Sequence, residues 1–276
     1  MCDLKGCGTQ AQLPPIKLDS QQRRLFLQGL VCLPLATVLA YPELAKAAAA
    51  TTEEVSLTLE MDNKVNASLA LPTSTDKAPA VILIHEWWGL NDQIKAVAAE
   101  LANLGYVALA VDLYGGKVAK TPDEAKALMG DLDPEIAKET MVGWVDYLKK
   151  HERVNGKVAT LGWCFGGGWS LNTSIVTPVD ATVIYYGNVA KGAEDLKALK
   201  GPVQGHFGKL DKNINQEMVS GFEQAMEKAG KKDSLTVYWY EADHAFANPT
   251  GARYDEANAK LAWERTTEFL KKNLSS

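Results

Sequence analysis

Apolar runs alternate with segments of helical spacing along most of the chain. The apolar run AVILIHEWW (80–88) predicts a strand that is buried on both faces. Asn91-Asp92 can then cap an amphipathic helix, QIKAVAAELANLG, which Gly105 ends. YVALAVDLYG (106–115) predicts the next strand. This is the order of a strand–helix–strand unit.

The same alternation continues to the end of the chain. VSLTLE and NASLALP predict a β-hairpin across 62–64. Further strands are predicted at 157–164, 181–187, 202–208 and 235–242, and helices at 122–130, 134–151, 167–176, 213–229 and 253–273. This order predicts an α/β fold with a mostly parallel, doubly wound sheet and helices on both faces. We find no repeat or linker after residue 53, so 53–276 is predicted to be one domain.

Composition and charge narrow the possible partners. The chain has 276 residues, of which 46% are hydrophobic and 23% are charged, as in ordinary globular proteins. Its formal net charge is −5, and its pI is near 5.5. No segment is basic enough to suggest a nucleic-acid partner.

The first fifty residues have a different pattern. A polar segment with a positive balance (1–24) precedes the apolar run LFLQGLVCLPLATVLA (25–40), and small residues follow at 45–52. This order is typical of an export signal, and Arg23-Arg24 resembles the twin-arginine type. We predict that residues 1–50 are such a signal and are cleaved. The protein would then be periplasmic or secreted, and would meet the membrane only through its signal.

The cysteines are divided between this leader and the domain. Cys2, Cys7 and Cys32 lie in the leader, where an uncleaved anchor and lipidation at Cys32 are the alternatives to a cleaved signal. Cys164 is the one cysteine after it. A single cysteine forms no internal disulfide, so its thiol is either buried or chemically active.

Cys164 lies at the centre of GWCFGGG (162–168), between a predicted strand and a predicted helix. This is the G-x-nucleophile-x-G pattern of the sharp turn in α/β-hydrolases. The N-terminus of the following helix favours the thiolate, which is the reactive form. The simpler alternative is a buried cysteine packed beside glycines. A redox role lacks the second cysteine of a C-x-x-C pair.

A cysteine nucleophile needs a base and an acid that orients the base. His206 and His244 are the two histidines after Cys164. His244 follows a predicted strand, whereas His206 lies within one and is predicted to be a core residue. Asp211 follows the neighbouring strand and is predicted to be the acid, with Asp243 as the competitor.

Stabilisation of an oxyanion needs two hydrogen-bond donors. The first is expected to be the backbone N–H of Phe165, directly after the predicted nucleophile. The second is expected from the loop after an earlier strand, and HEWWG (85–89) places the N–H of Trp87 there.

Five motifs together resemble the dienelactone hydrolase family. They are HEWWGLN (85–91), VDLYGG (111–116), GWCFGGG (162–168), HFGKLD (206–211) and DHAFAN (243–248). The resemblance covers roughly residues 54–273. It implies an α/β-hydrolase fold, no metal or organic cofactor, and a triad of Cys164, Asp211 and His244. It also implies that Glu86 contacts the resting thiol and takes part in forming the thiolate.

The resemblance departs from the family pattern at the substrate site. The best-known members bind a substrate carboxylate with two arginines, whereas the corresponding positions here are near Lys117 and at Asn248. Dienelactone is therefore not the expected substrate. Trp88 and Tyr114, together with Trp87, are expected to line an apolar pocket.

These patterns predict a monomeric, cysteine-dependent hydrolase of small ester or lactone substrates that forms an acyl-enzyme. A thioesterase or peptidase could use the same residues, because a fold does not determine the substrate. A non-catalytic binding protein on the same fold is a further alternative. A metal hydrolase using His85, Glu86, His206 and His244 is disfavoured, because HEWWG lacks the second histidine of H-E-x-x-H.

Overall fold

A computed structural model describes residues 33–275 of the chain. The strands are β1 (Glu53–Thr58), β2 (Lys64–Ala70), β3 (Ala78–Ile84), β4 (Val107–Val111), β5 (Val154–Trp163), β6 (Ala181–Tyr185), β7 (Val203–Gly208) and β8 (Leu235–Tyr240). The helices are α1 (Leu35–Ala40), α2 (Pro42–Ala49), α3 (Asp92–Asn103), α4 (Pro122–Asp131), α5 (Pro134–Lys150), α6 (Phe165–Val176), α7 (Ala193–Leu196), α8 (Gln216–Lys228) and α9 (Glu256–Leu274).

The strands form one eight-stranded sheet in the order β1-β2-β4-β3-β5-β6-β7-β8. β1 and β2 pair antiparallel, as do β2 and β4, and every later pairing is parallel. The sequence places helices between the parallel strands, and such connections cover both faces of a sheet. The predicted α/β-hydrolase architecture is confirmed.

Alternate residues of the central strands supply the two cores. Val81 and Leu83 of β3 pack with α3 and α9 on one face. Ile82 and Ile84 pack with α5 and α6 on the other face. A third cluster joins β7 to α8. Because both faces are covered, β3 and β4 are apolar along their whole length, as predicted.

Several elements end differently from the prediction. β3, β4, β6 and β8 end earlier, at Ile84, Val111, Tyr185 and Tyr240. After β3, β4 and β6 the chain turns out of the sheet although the next residues, His85, Asp112 and Tyr186, are still buried. Burial therefore does not mark the end of these strands. α6 begins at Phe165, two residues before the prediction, because the helix starts directly after the elbow.

The N-terminal part of the described chain forms two short helices on the surface of α3. Val38, Leu44 and Ala45 are buried there together with Ala96 of α3. The side chain of Gln93 also donates a hydrogen bond to the carbonyl of Leu39, at 3.0 Å. The predicted export signal covers these helices and residues 1–32, which lie outside the described residues, and it stays a prediction.

Within residues 33–275, every helix falls short of the length and apolarity that crossing a bilayer requires.

Candidate active site

Cys164 forms a sharp turn between β5 and α6. Its backbone has φ 55° and ψ −115°, which side-chain-bearing residues rarely adopt. Strand β5 runs directly into this turn, and α6 begins at the next residue. This strand–turn–helix has the backbone geometry of a nucleophile elbow. It holds the thiol beyond the end of the sheet, where it is half-buried.

Two glycines make this turn possible. A Cβ atom on Gly162 would lie 2.0 Å from the carbonyl oxygen of Gly166. A Cβ atom on Gly166 would lie 2.1 Å from the carbonyl oxygen of Ile84. Both distances are far below van der Waals contact, so a side chain at either position would push α6 away from β5 or β3. The G-x-C-x-G pattern therefore has a direct steric cause.

Three side chains from three loops form a continuous hydrogen-bonded chain. His244 Nε2 lies 3.1 Å from Cys164 Sγ, and His244 Nδ1 lies 2.6 Å from Asp211 Oδ2. His244 and Asp211 are each 3% exposed. The carboxylate accepts a hydrogen bond from Nδ1–H, which leaves Nε2 as the acceptor that faces the thiol. The arrangement can move a proton away from sulfur.

Asp211 is held in its ionised form. Burial by itself raises the pKa of this carboxyl group, but hydrogen bonds and the charge of His244 outweigh that effect, and the pKa is lowered. The other oxygen, Oδ1, accepts the backbone N–H groups of Asn213 and Ile214 at 2.8 and 3.0 Å. These two bonds fix the carboxylate toward the imidazole.

Asp243, the competing acid, has a different role. Its Oδ1 accepts the backbone N–H of His244 at 2.6 Å, and it lies 3.9 Å from a guanidinium nitrogen of Arg253. It helps to shape the loop that carries His244, and Ala245 in that loop has a positive φ of 60°. The ring of Tyr186 packs 5.1 Å from the imidazole and limits its rotation.

Glu86 is a second buried carboxyl group close to the triad. Its oxygens accept hydrogen bonds from Asn248 Nδ2 at 2.7 Å and from the hydroxyl of Tyr186 at 3.5 Å. Burial raises the pKa of Glu86, and the hydrogen bond from Asn248 offsets only part of that effect. The pKa values of the two carboxyl groups near His244, Asp211 and Glu86, are therefore shifted in opposite directions.

His85 holds the loop that presents Glu86 and Trp87. Its Nδ1 donates to the carbonyl of Glu86 at 2.6 Å, and its Nε2 accepts the backbone N–H of Leu113 at 3.2 Å. Burial lowers the pKa of His85, which keeps the ring neutral with the proton on Nδ1. This histidine ties the end of β3 to the end of β4.

The two predicted oxyanion donors lie on either side of this site. Phe165 is the first residue of α6, and Trp87 lies in the turn after β3. Within residues 33–275 the structure describes no acceptor for either backbone N–H. The Phe165 ring stacks on His85, with centroids 5.7 Å apart, so α6 and the Trp87 turn are held together.

The four predicted pocket residues separate into two groups. Trp88 and Asn248 line a small pocket of about 10 Å³ that also includes Cys164 and His244. Tyr114 is buried beneath it, against the rings of His85 and Phe165. The Lys117 side chain is exposed, and its carbonyl packs against Gly89.

The sequence model of the Dienelactone hydrolase family matches residues 65–274 of this chain. This chain belongs to the dienelactone hydrolase family. The predicted family is confirmed, and with it a hydrolase that acts on carboxylic ester or lactone bonds.

Other proteins with similar sequences or folds agree with the assignment of this chain to the dienelactone hydrolase family. Carboxymethylenebutenolidase 1 of Cupriavidus pinatubonensis is 28% identical over 79% of this chain and 96% of its own length. The carboxymethylenebutenolidase of Pseudomonas putida is 29% identical over 73% and 89%, respectively. The structure of a dienelactone hydrolase-like promiscuous phosphotriesterase, P91, from metagenomic libraries aligns with a TM-score of 0.70 at 22% identity, over 82% of this chain and all of that one. This last likeness concerns the fold.

Arg253 is a residue of this dienelactone hydrolase site that the sequence reasoning missed. It lines the pocket that contains Cys164, and its side chain is only 15% exposed. It lies nine residues after His244, in a loop without any recognised pattern, so no local signal pointed to it. Its position brings a fixed positive charge close to the reacting groups.

His206 lies in the core, as predicted. Its ring nitrogens contact the hydroxyl of Tyr240 at 2.8 Å and the side-chain oxygen of Gln204 at 3.0 Å. Burial lowers its pKa to about 3, and the nearby charge of Arg265 acts in the same direction. It has no part in the hydrogen-bonded chain from Cys164 to Asp211.

Proposed function

We propose that the protein hydrolyses carboxylic esters or lactones with Cys164 as the nucleophile, His244 as the base and Asp211 as the orienting acid. The observation that carries this proposal is the continuous chain from Sγ through the imidazole to the carboxylate, built on a strained elbow. Geometry of this kind is how an activated nucleophile is recognised.

The acylation step follows from this geometry. The Cys164 thiol gives its proton to His244 Nε2, and the sulfur forms a bond with the carbonyl carbon. The carbonyl electrons move to oxygen, where the N–H groups of Trp87 and Phe165 would stabilise the negative charge. The carbonyl then re-forms, the alcohol leaves with the proton from His244, and a thioester remains on Cys164.

Deacylation reverses these roles with water. His244 takes a proton from a water molecule, which attacks the thioester carbonyl. The tetrahedral intermediate collapses, the acid is released, and the sulfur recovers its proton from the imidazole. Asp211 stabilises the imidazolium in both steps, which is consistent with its lowered pKa.

Turnover of p-nitrophenyl acetate by Cys164→Ala and His244→Gln variants tests this proposal. Each change removes a group that acts in both steps, so we expect kcat/KM to fall by at least about 10³-fold. His151→Gln is the matched control, because His151 lies beyond the end of α5 and accepts the backbone N–H of Arg153. Mass spectrometry of quenched wild-type protein should show an acetyl group on Cys164. Undiminished turnover by Cys164→Ala would refute the nucleophile.

We also infer that the protein acts outside the cytoplasm. The support is the leader: a positive segment with Arg23-Arg24, an apolar run at 25–40 and small residues at 45–52.

A further inference from the structure

A second cavity lies beside the pocket that contains Cys164. It has a volume of about 490 Å³ and is bounded by α3, α9 and the segment that begins α1. Its inner walls are mainly apolar and aromatic, with Ile94, Val97, Trp163, Tyr185 and Trp263. Volume and lining both fall in the range of sites for small organic ligands.

This cavity meets the catalytic pocket at Glu86 and Asn248, which line both spaces. The space directly around Cys164 is about 10 Å³, too small for more than the reacting group itself. A larger substrate therefore needs further room, and the cavity is the adjoining space. Asn248 and Glu86 are joined there by a hydrogen bond of 2.7 Å.

The charges around the cavity indicate the kind of molecule that fits. Glu86, Glu100, Glu256 and Glu264 line it, against the single cation Lys260 in this lining. An anionic ligand would be repelled, whereas a neutral hydrocarbon group would meet apolar walls. The carboxyl group at the mouth is itself displaced toward its neutral form, because burial raises the pKa of Glu86.

We propose that the cavity binds the hydrocarbon acyl chain of a neutral ester substrate. This inference rests on the proposed function and adds the substrate class. The acyl group remains bonded to the sulfur between the two steps, whereas the alcohol must leave before water attacks. The recessed space therefore suits the acyl side, and the open side suits the leaving group.

Pro34, Leu35, Ala36 and Leu39, which belong to the predicted leader, close one side of the cavity, whereas the other lining residues belong to the domain. The test therefore uses a domain residue. Ala259 on α9 lines the cavity, and Ala257, two residues earlier on the same helix, is exposed and does not line it. Residues two apart on a helix face different directions, so Ala257 is a matched control.

The experiment compares p-nitrophenyl octanoate with p-nitrophenyl acetate in full-length Ala259→Leu, Ala259→Trp and Ala257→Trp. We expect kcat/KM for octanoate to fall about threefold in Ala259→Leu and at least tenfold in Ala259→Trp, with acetate unchanged within twofold. Ala257→Trp should match the wild type on both esters. Leucine is well tolerated in helices, so the smaller change keeps the test valid if the tryptophan disturbs folding. An unchanged octanoate-to-acetate ratio in both Ala259 variants would overturn the proposal.

A binding measurement separates this inference from the proposed catalysis. Methyl octanoate is titrated into Cys164→Ala protein, and the heat of binding is measured by calorimetry. Saturable binding that Ala259→Trp weakens at least tenfold supports the cavity, even if Cys164→Ala still turns over acetate. Equal binding with and without the Ala259 change rejects the cavity, even if Cys164 proves to be the nucleophile.

Discussion

At the scale of single residues, the surroundings assign a protonation state to each group around the thiol. Asp211 accepts hydrogen bonds from two backbone N–H groups and from an imidazole, and these lower its pKa. Glu86 receives neutral donors in a buried position, and its pKa is raised. Carboxyl groups whose pKa values are pushed apart can take different roles at one pH. Here the pKa of Asp211 is shifted toward the charged form of its carboxyl group, and the pKa of Glu86 is shifted toward the neutral form.

The lowered pKa of Asp211 predicts a pH-dependent stability. The unfolded value is about 3.9, and the folded value lies below it. Its contribution to the free energy of unfolding is therefore fully present above the unfolded pKa, and is lost as the pH falls through 3.9 toward the folded pKa. Asp211→Asn lacks this contribution.

Urea unfolding between pH 3 and pH 7 measures this effect. The wild type should be more stable than Asp211→Asn at neutral pH, and the gap should narrow below about pH 4. If the free energies of unfolding of the two proteins differed by the same amount at every pH, the ionised Asp211 carboxylate would not stabilise the fold.

At the scale of elements, the site depends on how closely α6 approaches β3 and β5. Gly162 and Gly166 allow backbone contacts that no other residue would permit. The thiol is consequently placed by the packing of two strands and a helix, and not by a flexible loop. His85 extends the same scaffold by joining the ends of β3 and β4.

Gly166→Ala tests the importance of this approach. Its methyl group would meet backbone atoms of Ile84 and His85, so we expect the free energy of unfolding to fall by about 3 kcal/mol. Gly221→Ala is the control, because Gly221 lies within α8 and a Cβ there has nothing within 4 Å. That change should raise stability by roughly 0.5–1 kcal/mol. Similar effects at both positions, measured by urea unfolding, would contradict the steric explanation.

At the scale of the whole molecule, the N-terminal segment would link the proposed export to the large cavity. Its described part packs on α3 and closes one side of the large cavity. Cleavage within 45–52 would remove that wall and open the cavity to solvent. The uncleaved and cleaved forms would then differ in their acyl-chain preference.

The export proposal predicts a transport defect for Arg23→Lys with Arg24→Lys. The change keeps both charges but removes the paired guanidinium groups of the twin-arginine pattern. We expect the folded protein to stay in the cytoplasm at full precursor mass. Lys5→Arg with Lys17→Arg is the matched control and should be exported normally. Cell fractionation followed by mass spectrometry distinguishes the outcomes, and normal periplasmic accumulation of the first variant would disprove twin-arginine export.

The sequence by itself determined the sheet, the elbow and the candidate residues, because each depends on local patterns. Apolar runs and helical spacing lie within single elements, and the elbow glycines adjoin Cys164. The sequence favoured Asp211 over Asp243 as the partner of His244, and the structure gives their distance. Tertiary structure alone showed that Arg253 lines the pocket and that a cavity adjoins Glu86. These features join residues far apart in the chain, such as Glu86 and Asn248. The packing of whole strands and helices sets the distances between such residues, and no local sequence pattern encodes that packing.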